Sequence, residues 1–213
     1  MRKSAAARFG SLAVKTPLVF PGQRVGIMGG TFNPPHAGHA LISQTTLKRL
    51  RLHQLWWVVT PGNPLKSNGT LPSLESRIAA CQELITDPRI TVTGFEAELG
   101  TPYTAATLAF LRARYPSVHF VWVMGADNLA SFHRWQQWRD IMQLMPIAVV
   151  DRPGWRHRSL AAKAAVTYAR AYFPERRAAQ LPMLKPPAWT LLTGPLSDLS
   201  STALRARRSK TGG

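Results

Sequence analysis

The chain has 213 residues, and the 45% that are hydrophobic suffice for one folded domain with a buried core. Its 27 Lys and Arg outnumber 10 Asp and Glu, and the net charge of +17 favours phosphorylated or polyanionic partners. A single cysteine, Cys81, excludes an internal disulfide and fits a reducing compartment, so we predict a cytoplasmic protein. No apolar run approaches the roughly 20 residues that cross a bilayer, so no membrane association is expected.

Strand-like and helix-like segments alternate along the chain from Arg24 onwards. Strands are predicted at 24–29, 55–62, 90–96, 119–127, 146–154 and 188–194, and helices at 37–52, 74–85, 104–115, 134–145, 160–173 and 200–209. This alternation predicts an α/β fold, a doubly wound, mostly parallel sheet with helices on both faces. We expect a basic, flexible leader at 1–23, one domain at 24–208 and a tail at 209–213.

A segment rich in glycine, proline and histidine, GGTFNPPHAGH, follows the first predicted strand at residues 29–39. Gly29 and Gly30 allow close approach of the backbone to a ligand and a positive φ. His36 and His39 fall on one face of the first turn of the next helix, where unpaired N–H groups and a partial positive charge favour phosphate. A zinc site is not favoured, because no third ligand stands nearby. Further turn segments follow the second, fourth and fifth strands at 60–66, 125–128 and 151–154, on the edge where such sheets bind ligands.

Two segments carry a resemblance to a known family: GGTFNPPHAGH and SSTALR at 200–205 are similar to the two signatures of the H-x-G-H nucleotidylyltransferase superfamily. With TPGNPLK, PYTAATL and GADNLASFHRW, the chain most resembles the bacterial nicotinate-nucleotide adenylyltransferases. The resemblance implies transfer of the adenylyl group of ATP to nicotinate mononucleotide, giving nicotinate adenine dinucleotide and pyrophosphate in NAD biosynthesis. It also implies Mg²⁺ carried by the ATP phosphates and not held by a protein cage.

The resemblance assigns roles to individual residues. The implied catalytic residues are His36, His39 and Arg205. The implied ATP-binding residues are Gly29, Gly30, Thr31, Phe32, His36, His39, Ser200, Ser201, Thr202 and Arg205. The implied substrate-binding residues are Thr104, Asp127, Trp135, Lys66 and Arg152. Thr104 is expected to bind the carboxylate of the mononucleotide, and Trp135 to stack on its pyridine ring unless Trp138 does so. Asp127 is expected to bind a ribose or adenine-side group, and Lys66 and Arg152 to contact phosphate. The chain departs from the family pattern at Asn33, where the family has Asp, and it ends eight residues after Arg205.

Other functions remain open at this point. Another superfamily member would use nicotinamide mononucleotide, phosphopantetheine or a cytidylyl acceptor, and the region of Thr104 and Trp135 distinguishes a ring-bearing acid from a pantetheine arm. The net charge of +17 keeps a non-enzymatic nucleic-acid binder as a rival, although the basic residues are spread along the chain. The sequence leaves open whether the chain forms a homo-oligomer.

Overall fold

The computed structural model describes residues 15–62, 71–100 and 103–194. Within these ranges the chain forms a sheet of six strands: β1 Arg24–Gly30, β2 Gln54–Val59, β3 Ile90–Thr93, β4 His119–Gly125, β5 Ile147–Val150 and β6 Trp189–Leu192. The α-helices are α1 Ala37–Arg49, α2 Leu74–Leu84, α3 Thr104–Arg114, α4 Ala126–Ser131, α5 Trp138–Leu144, α6 Arg156–Leu160 and α7 Lys163–Thr167. Short 3₁₀-helical segments lie at Phe95–Leu99, Phe132–Arg134, Ala169–Ala171 and Glu175–Met183.

All neighbouring strands pair in parallel, in the order β3-β2-β1-β4-β5-β6. From β1 the chain winds outwards to β3, returns to β4 beside β1, and winds outwards again to β6. The predicted doubly wound parallel fold is therefore confirmed. The winding reverses between β1 and β4, and this is where an open α/β sheet leaves a crevice at the carboxyl ends of its strands.

Successive residues of the central strands enter two separate cores, one on each face of the sheet. Trp56 packs into one core with Ile27 and Leu108, whereas Trp57 packs into the other with Leu47 and Cys81. This alternation follows from the two-residue repeat of a strand, and burial on both faces explains why these strands are apolar throughout. The Cys81 thiol is fully buried, and burial raises its pKa to about 12, which leaves it without the reactivity of a thiolate.

Two predicted helices are broken in the structure. The prediction of one helix at 134–145 was wrong, because Gln137 adopts a left-handed conformation (φ 54°) that separates a 3₁₀ turn from α5. As a result, Trp138 enters the core while Trp135 stays partly buried beside it. The segment predicted as one helix at 160–173 is interrupted at the extended residue Ala162. The buried residues Ala164 and Ala165 lie within α7, the short helix that follows this break.

Shorter differences occur at strand ends. The third predicted strand, 90–96, stops at Thr93 at the edge of the sheet, and the chain then turns into a 3₁₀ helix. The residues after β4, predicted as a turn, form α4 at once. Asp127 therefore lies in the first turn of a helix, close to the end of its strand.

Residues 15–23 of the predicted leader lie against the domain. Thr93 Oγ1 donates to the Lys15 carbonyl at 2.7 Å, and the hydroxyls of Thr16 and Tyr115 are 2.6 Å apart. The boundary proposed at residue 23 remains a prediction. Among the residues that the structure describes, no helix has the length and apolar character needed to cross a membrane.

Candidate active site

Four of the predicted site residues meet at the crevice between β1 and β4. His36 and His39 stand at the start of α1 after β1, Asp127 follows β4, and Arg152 follows β5. The charges of Arg152 and Asp127 both act on the pKa of His36, and that of Arg152 also acts on His39. The four side chains therefore form one electrostatic group, assembled from three strand ends.

The two histidines cap the helix reciprocally. His36 is the N-cap residue, and its Nδ1 accepts a hydrogen bond from the Gly38 N–H at 3.1 Å. His39 Nδ1 accepts from the His36 N–H at 3.2 Å, and the two ring centroids are 3.9 Å apart. An imidazole nitrogen that accepts carries no proton, so the network assigns the proton of each neutral ring to Nε2. Each ring can therefore donate one hydrogen bond, through Nε2–H.

The cap changes one expectation from the sequence. The first turn of α1 was predicted to present unpaired backbone N–H groups to phosphate. In the structure the N–H groups of His36 and Gly38 donate to the imidazoles, and the His39 N–H donates to the His36 carbonyl at 2.8 Å. The prediction was wrong for these three amides. The two Nε2–H groups take the place of these three amides as donors to an anion at this turn.

Both histidines are neutral at physiological pH. Burial, helped by the nearby Arg152 charge, lowers the pKa of His36 from 6.5 to about 4. Burial lowers the pKa of His39 to about 3, with smaller contributions from His36 and Arg152. Since the unfolded histidines take up protons near pH 6.5, before the folded ones do, the fold loses stability as the pH drops from 6.5 towards 4. Anionic phosphate would act in the opposite direction and raise both pKa values.

Aromatic rings surround the His39 imidazole. The Phe32 centroid lies 4.9 Å from that of His39, and Phe32 stacks on Trp57 at 4.9 Å with an interplanar angle of 13°. Trp57 Nε1 donates to Ser43 Oγ at 2.8 Å, and Ser43 Oγ donates to the His39 carbonyl at 2.8 Å. The core that contains Phe32 and Trp57 thus fixes both the ring and the backbone of His39.

The left-handed residue of the loop after β1 is Phe32 (φ 46°), not Gly29 or Gly30, for which a positive φ was predicted. A bulky residue rarely adopts this conformation, and its occurrence is typical of functional loops. The two glycines instead make room for neighbours. A Cβ on Gly29 would lie 2.6 Å from the Trp122 ring, and one on Gly30 would lie 3.3 Å from the Phe32 ring.

Asp127 and Arg152 form an ion pair at the mouth of the crevice. Arg152 Nη1 lies 2.9 Å from Asp127 Oδ2, and both side chains are partly buried. Asp127 Oδ1 is buried and receives no hydrogen bond from any residue that the structure describes. A Cβ on Gly125 would collide with that oxygen, so this glycine lets the carboxylate lie against the end of β4. The free lone pairs of Oδ1 suit a hydroxyl donor from a ligand.

Two more predicted residues lie on the other side of β4. Thr104 is the first residue of α3, and no side chain among the described residues caps this helix. Trp135 is partly buried, edge-on to Trp122 at 6.3 Å and to Phe132 at 5.3 Å. Trp138 is 93% buried in the core, so Trp135 is the one of the two tryptophans with surface to offer a ligand.

Five predicted residues fall outside the described ranges, and their positions remain predictions: Lys66, Ser200, Ser201, Thr202 and Arg205.

Two buried charged residues near the site were not predicted from the sequence. Arg77 of α2 is 3% exposed and donates to the carbonyl of Thr31 in the loop after β1. Glu96 is 6% exposed and accepts from Thr107 Oγ1 at 2.6 Å, and burial raises its pKa. Arg77 carried a readable signal, since it occupies the apolar stripe formed by Leu74, Ile78 and Cys81 at helical spacing.

The titration of the two histidines tests the geometry of the cap. In the ligand-free protein, ¹⁵N-labelled imidazole spectra should show the Nε2–H tautomer for both rings and no protonation between pH 8 and pH 5.5, since the pKa values are about 4 and about 3. His157, an exposed residue of α6, supplies an internal imidazole signal for assigning the spectra. A midpoint near pH 6.5 for His36 or His39, or an Nδ1–H tautomer, would contradict the assignment.

Comparison with known proteins places the chain in a family. The model of the cytidylyltransferase-like family matches residues 27–207. A protein of Agrobacterium fabrum named as a probable nicotinate-nucleotide adenylyltransferase is 58% identical over 181 residues, which are 85% of this chain and 97% of the relative. A Methylorubrum extorquens protein of the same name is 54% identical over 184 residues, 86% of this chain and 100% of the relative.

The fold also matches solved structures. Plasmodium falciparum nicotinic acid mononucleotide adenylyltransferase complexed with NaAD superposes with a TM-score of 0.65 at 17% identity, covering 86% of this chain and 83% of that one. At this identity the match supports the fold alone, whereas the family follows from the sequence matches. The chain belongs to the cytidylyltransferase-like family of nucleotidyltransferases, within which it groups with the nicotinate-nucleotide adenylyltransferases.

Proposed function

We propose that this chain transfers the adenylyl group of ATP to nicotinate mononucleotide, giving nicotinate adenine dinucleotide and pyrophosphate in NAD biosynthesis. The observation that carries the proposal is the pair of Nε2–H donors beside Arg152 at the strand crevice, in a chain 54–58% identical to proteins named for this activity. A phosphopantetheine or nicotinamide mononucleotide acceptor is the alternative within the same chemistry.

The reaction requires no covalent enzyme intermediate. An oxygen of the mononucleotide phosphate attacks the α-phosphorus of ATP, the new P–O bond forms, and the bond to the bridging oxygen breaks as pyrophosphate leaves with that electron pair. Negative charge accumulates on oxygens around the α-phosphorus. Catalysis then consists of holding the two phosphates in line and stabilising this charge.

His36 and His39 are proposed to stabilise that charge by donating from Nε2. A neutral donor fixed by its own cap needs no reorganisation during the reaction, and its value is greatest in a site that excludes water. Arg152 supplies a full positive charge beside them, held by Asp127. The unpaired Asp127 Oδ1 is proposed to accept from a ribose hydroxyl, in line with the nucleotide-binding role expected for this residue.

The acceptor is proposed to lie across β4, between Thr104 and Trp135. The start of α3 offers backbone N–H groups and the Thr104 hydroxyl to the nicotinate carboxylate, and a helix start favours negative charge. The exposed part of the Trp135 ring offers a face or edge to the pyridine. Lys66, Ser200, Ser201, Thr202 and Arg205 are proposed to complete the phosphate contacts, on the strength of the sequence signatures alone.

The residues at the crevice fit a magnesium ion that the nucleotide carries. Mg²⁺ prefers oxygen ligands, and the nearby donors are two imidazoles and one carboxylate that is already paired with arginine. Within the described ranges no group of three or more His, Cys, Asp or Glu residues could hold a metal. When bound, the ion would neutralise phosphate charge, and the ATP oxygens would be its main ligands. A cytoplasmic location and a homo-oligomeric state remain further proposals.

Pyrophosphate release with ATP and Mg²⁺ tests the substrate assignment. Nicotinate mononucleotide, nicotinamide mononucleotide and phosphopantetheine should be offered in parallel, and rapid release is expected with the first. Release with another acceptor alone would retain adenylyl transfer but overturn the acceptor. No release with any of the three would overturn the enzymatic proposal and favour a polyanion-binding role.

Two substitutions at His39 separate its cap from its donor. In His39→Asn the side-chain oxygen can replace Nδ1 as the acceptor for the His36 N–H, but no donor remains at the position of Nε2. We expect turnover to fall by about 10² or more, the scale for loss of one charge-stabilising donor, with a melting temperature close to the parent's. In His39→Gln the amide N–H₂ reaches the Nε2 position, so more activity should remain.

Substitution of the exposed His157 by alanine is the control for both variants and should leave turnover unchanged. Full activity of His39→Asn would show that Nε2 is not a catalytic donor.

A further inference from the structure

The buried Arg77 guanidinium contacts four backbone carbonyls. Its Nε donates to Pro72 at 3.0 Å, Nη1 donates to Thr31 at 2.9 Å and Thr60 at 2.7 Å, and Nη2 donates to Pro61 at 3.3 Å. Four of its five N–H groups are thus engaged, all with main-chain oxygens. The side chain is fixed in every direction by the backbone of three different segments.

These carbonyls belong to the loops that border the proposed site. Thr31 lies in the loop after β1, Thr60 and Pro61 follow β2, and Pro72 precedes α2. The ends of β1 and β2 are also linked directly, since the Thr60 N–H donates to the Gly30 carbonyl at 3.0 Å. Arg77 therefore links the ends of β1 and β2 where they leave the sheet, beside the turn that leads to His36.

The energetics indicate a geometric role. A buried cation costs several kcal/mol unless it is well compensated. No ion pair to Arg77 within salt-bridge distance occurs among the residues described, so the carbonyl dipoles compensate the charge together with the more distant Glu75 carboxylate. A planar fork with five donors can bind several fixed oxygens at once, whereas a lysine ammonium, with three donors at one point, cannot reach all four. What the guanidinium provides here is the mutual placement of the loops.

The hydrogen bond from Arg77 to the Thr31 carbonyl also orients the Phe32 N–H at the proposed site. The Thr31–Phe32 peptide is trans, so the Phe32 N–H points opposite to the carbonyl that Arg77 holds. In the described part of the chain, this N–H meets no acceptor. Phe32 is also the left-handed residue of the loop, a conformation that the surroundings must enforce. The hydrogen bond from Arg77 fixes this peptide plane and polarises it, which strengthens the N–H as a donor.

We propose that Arg77 is a positioning residue, which holds the Thr31–Phe32 peptide against Thr60 and Pro61 at the end of β2 so that the Phe32 N–H and the neighbouring histidines meet the substrate phosphates together. The inference deepens the proposed function and rests on it. Arg77 itself is not proposed to touch the substrate.

Two substitutions test the role, one that keeps the charge and one that keeps the volume. Arg77→Lys retains a cation without the fork, and Arg77→Met fills the space with an apolar chain, which tolerates burial well. We expect both to lower kcat/KM by about 10²-fold, the scale for slight misplacement of reacting groups, while circular dichroism still reports the folded protein. Arg112→Lys is the matched control, because Arg112 is exposed and donates to one carbonyl, that of Leu144, away from the site.

Hydrogen exchange supplies a readout that does not depend on activity. In both Arg77 variants, peptides covering residues 29–36 and 58–62 should exchange faster, while β4 and β5 keep the exchange rates of the parent. Rescue by added guanidinium ion is tested with Arg77→Ala, because alanine leaves a cavity for the ion whereas methionine fills it. Restored turnover there would support the role.

The outcomes separate the two proposals. If the parent protein adenylylates no acceptor, the proposed function fails, and the exchange data still decide whether Arg77 orders the loops. If the parent is active and Arg77→Met keeps its kcat/KM and exchange pattern, the inference is overturned. Faster exchange throughout the protein, with activity lost only in proportion to unfolding, would also overturn it by assigning Arg77 to general stability.

Discussion

The reciprocal hydrogen bonds between His36 and His39 determine the chemistry available at this site. Each Nδ1 is occupied by a backbone N–H, so each ring presents Nε2–H and nothing else. Burial then keeps both rings neutral well below physiological pH. Histidines in general can act as a base, an acid or a metal ligand, but these two serve only as fixed donors. Such a pair suits phosphoryl oxygens, whose charge changes during transfer while their protonation does not.

The rest of the crevice supports these donors from two directions. On one side, His39 is held against the core that contains Trp57. The contacts come from the Phe32 and Trp57 rings and the Ser43 hydroxyl. On the other side, Arg152 brings positive charge from the end of β5, and its pairing with Asp127 fixes where that charge lies. Phe32, Asp127 and Arg152 follow the ends of parallel strands, so the doubly wound topology brings them to one place, whereas Trp57 and Ser43 come from within β2 and α1.

The fold could be predicted because its signals are local and repeated: apolar strands, helices with capping residues such as Ser73, and turn residues at each strand end. The approximate place of the site followed from the same pattern. The breaks at Gln137 and Ala162 could not be predicted, since neither position carries the glycine or proline that marks a helix end in a sequence. Nor could the left-handed conformation of Phe32, which the sequence assigns more naturally to the glycines beside it.

The electrostatic details of the site also lay beyond the sequence. Spacing alone brings His36 and His39 together but does not say which nitrogen each ring uses, because that depends on hydrogen bonds to N–H groups in the folded turn. In the sequence Arg77 resembles an ordinary charged helix residue, although its position in an apolar stripe indicates burial. Its role depends on the carbonyls around it, which only the structure shows. Buried polar groups are the part of such a site that a single sequence reveals least.

A crystal structure with nicotinate adenine dinucleotide bound would test the central claim most directly. Phosphate oxygens of the dinucleotide should lie within hydrogen-bonding distance, about 2.7–3.2 Å, of Nε2 of His36 and His39, with both Nδ1 bonds to the backbone intact. Phosphates bound elsewhere on the protein, or rings turned so that Nδ1 faces the ligand, would contradict it.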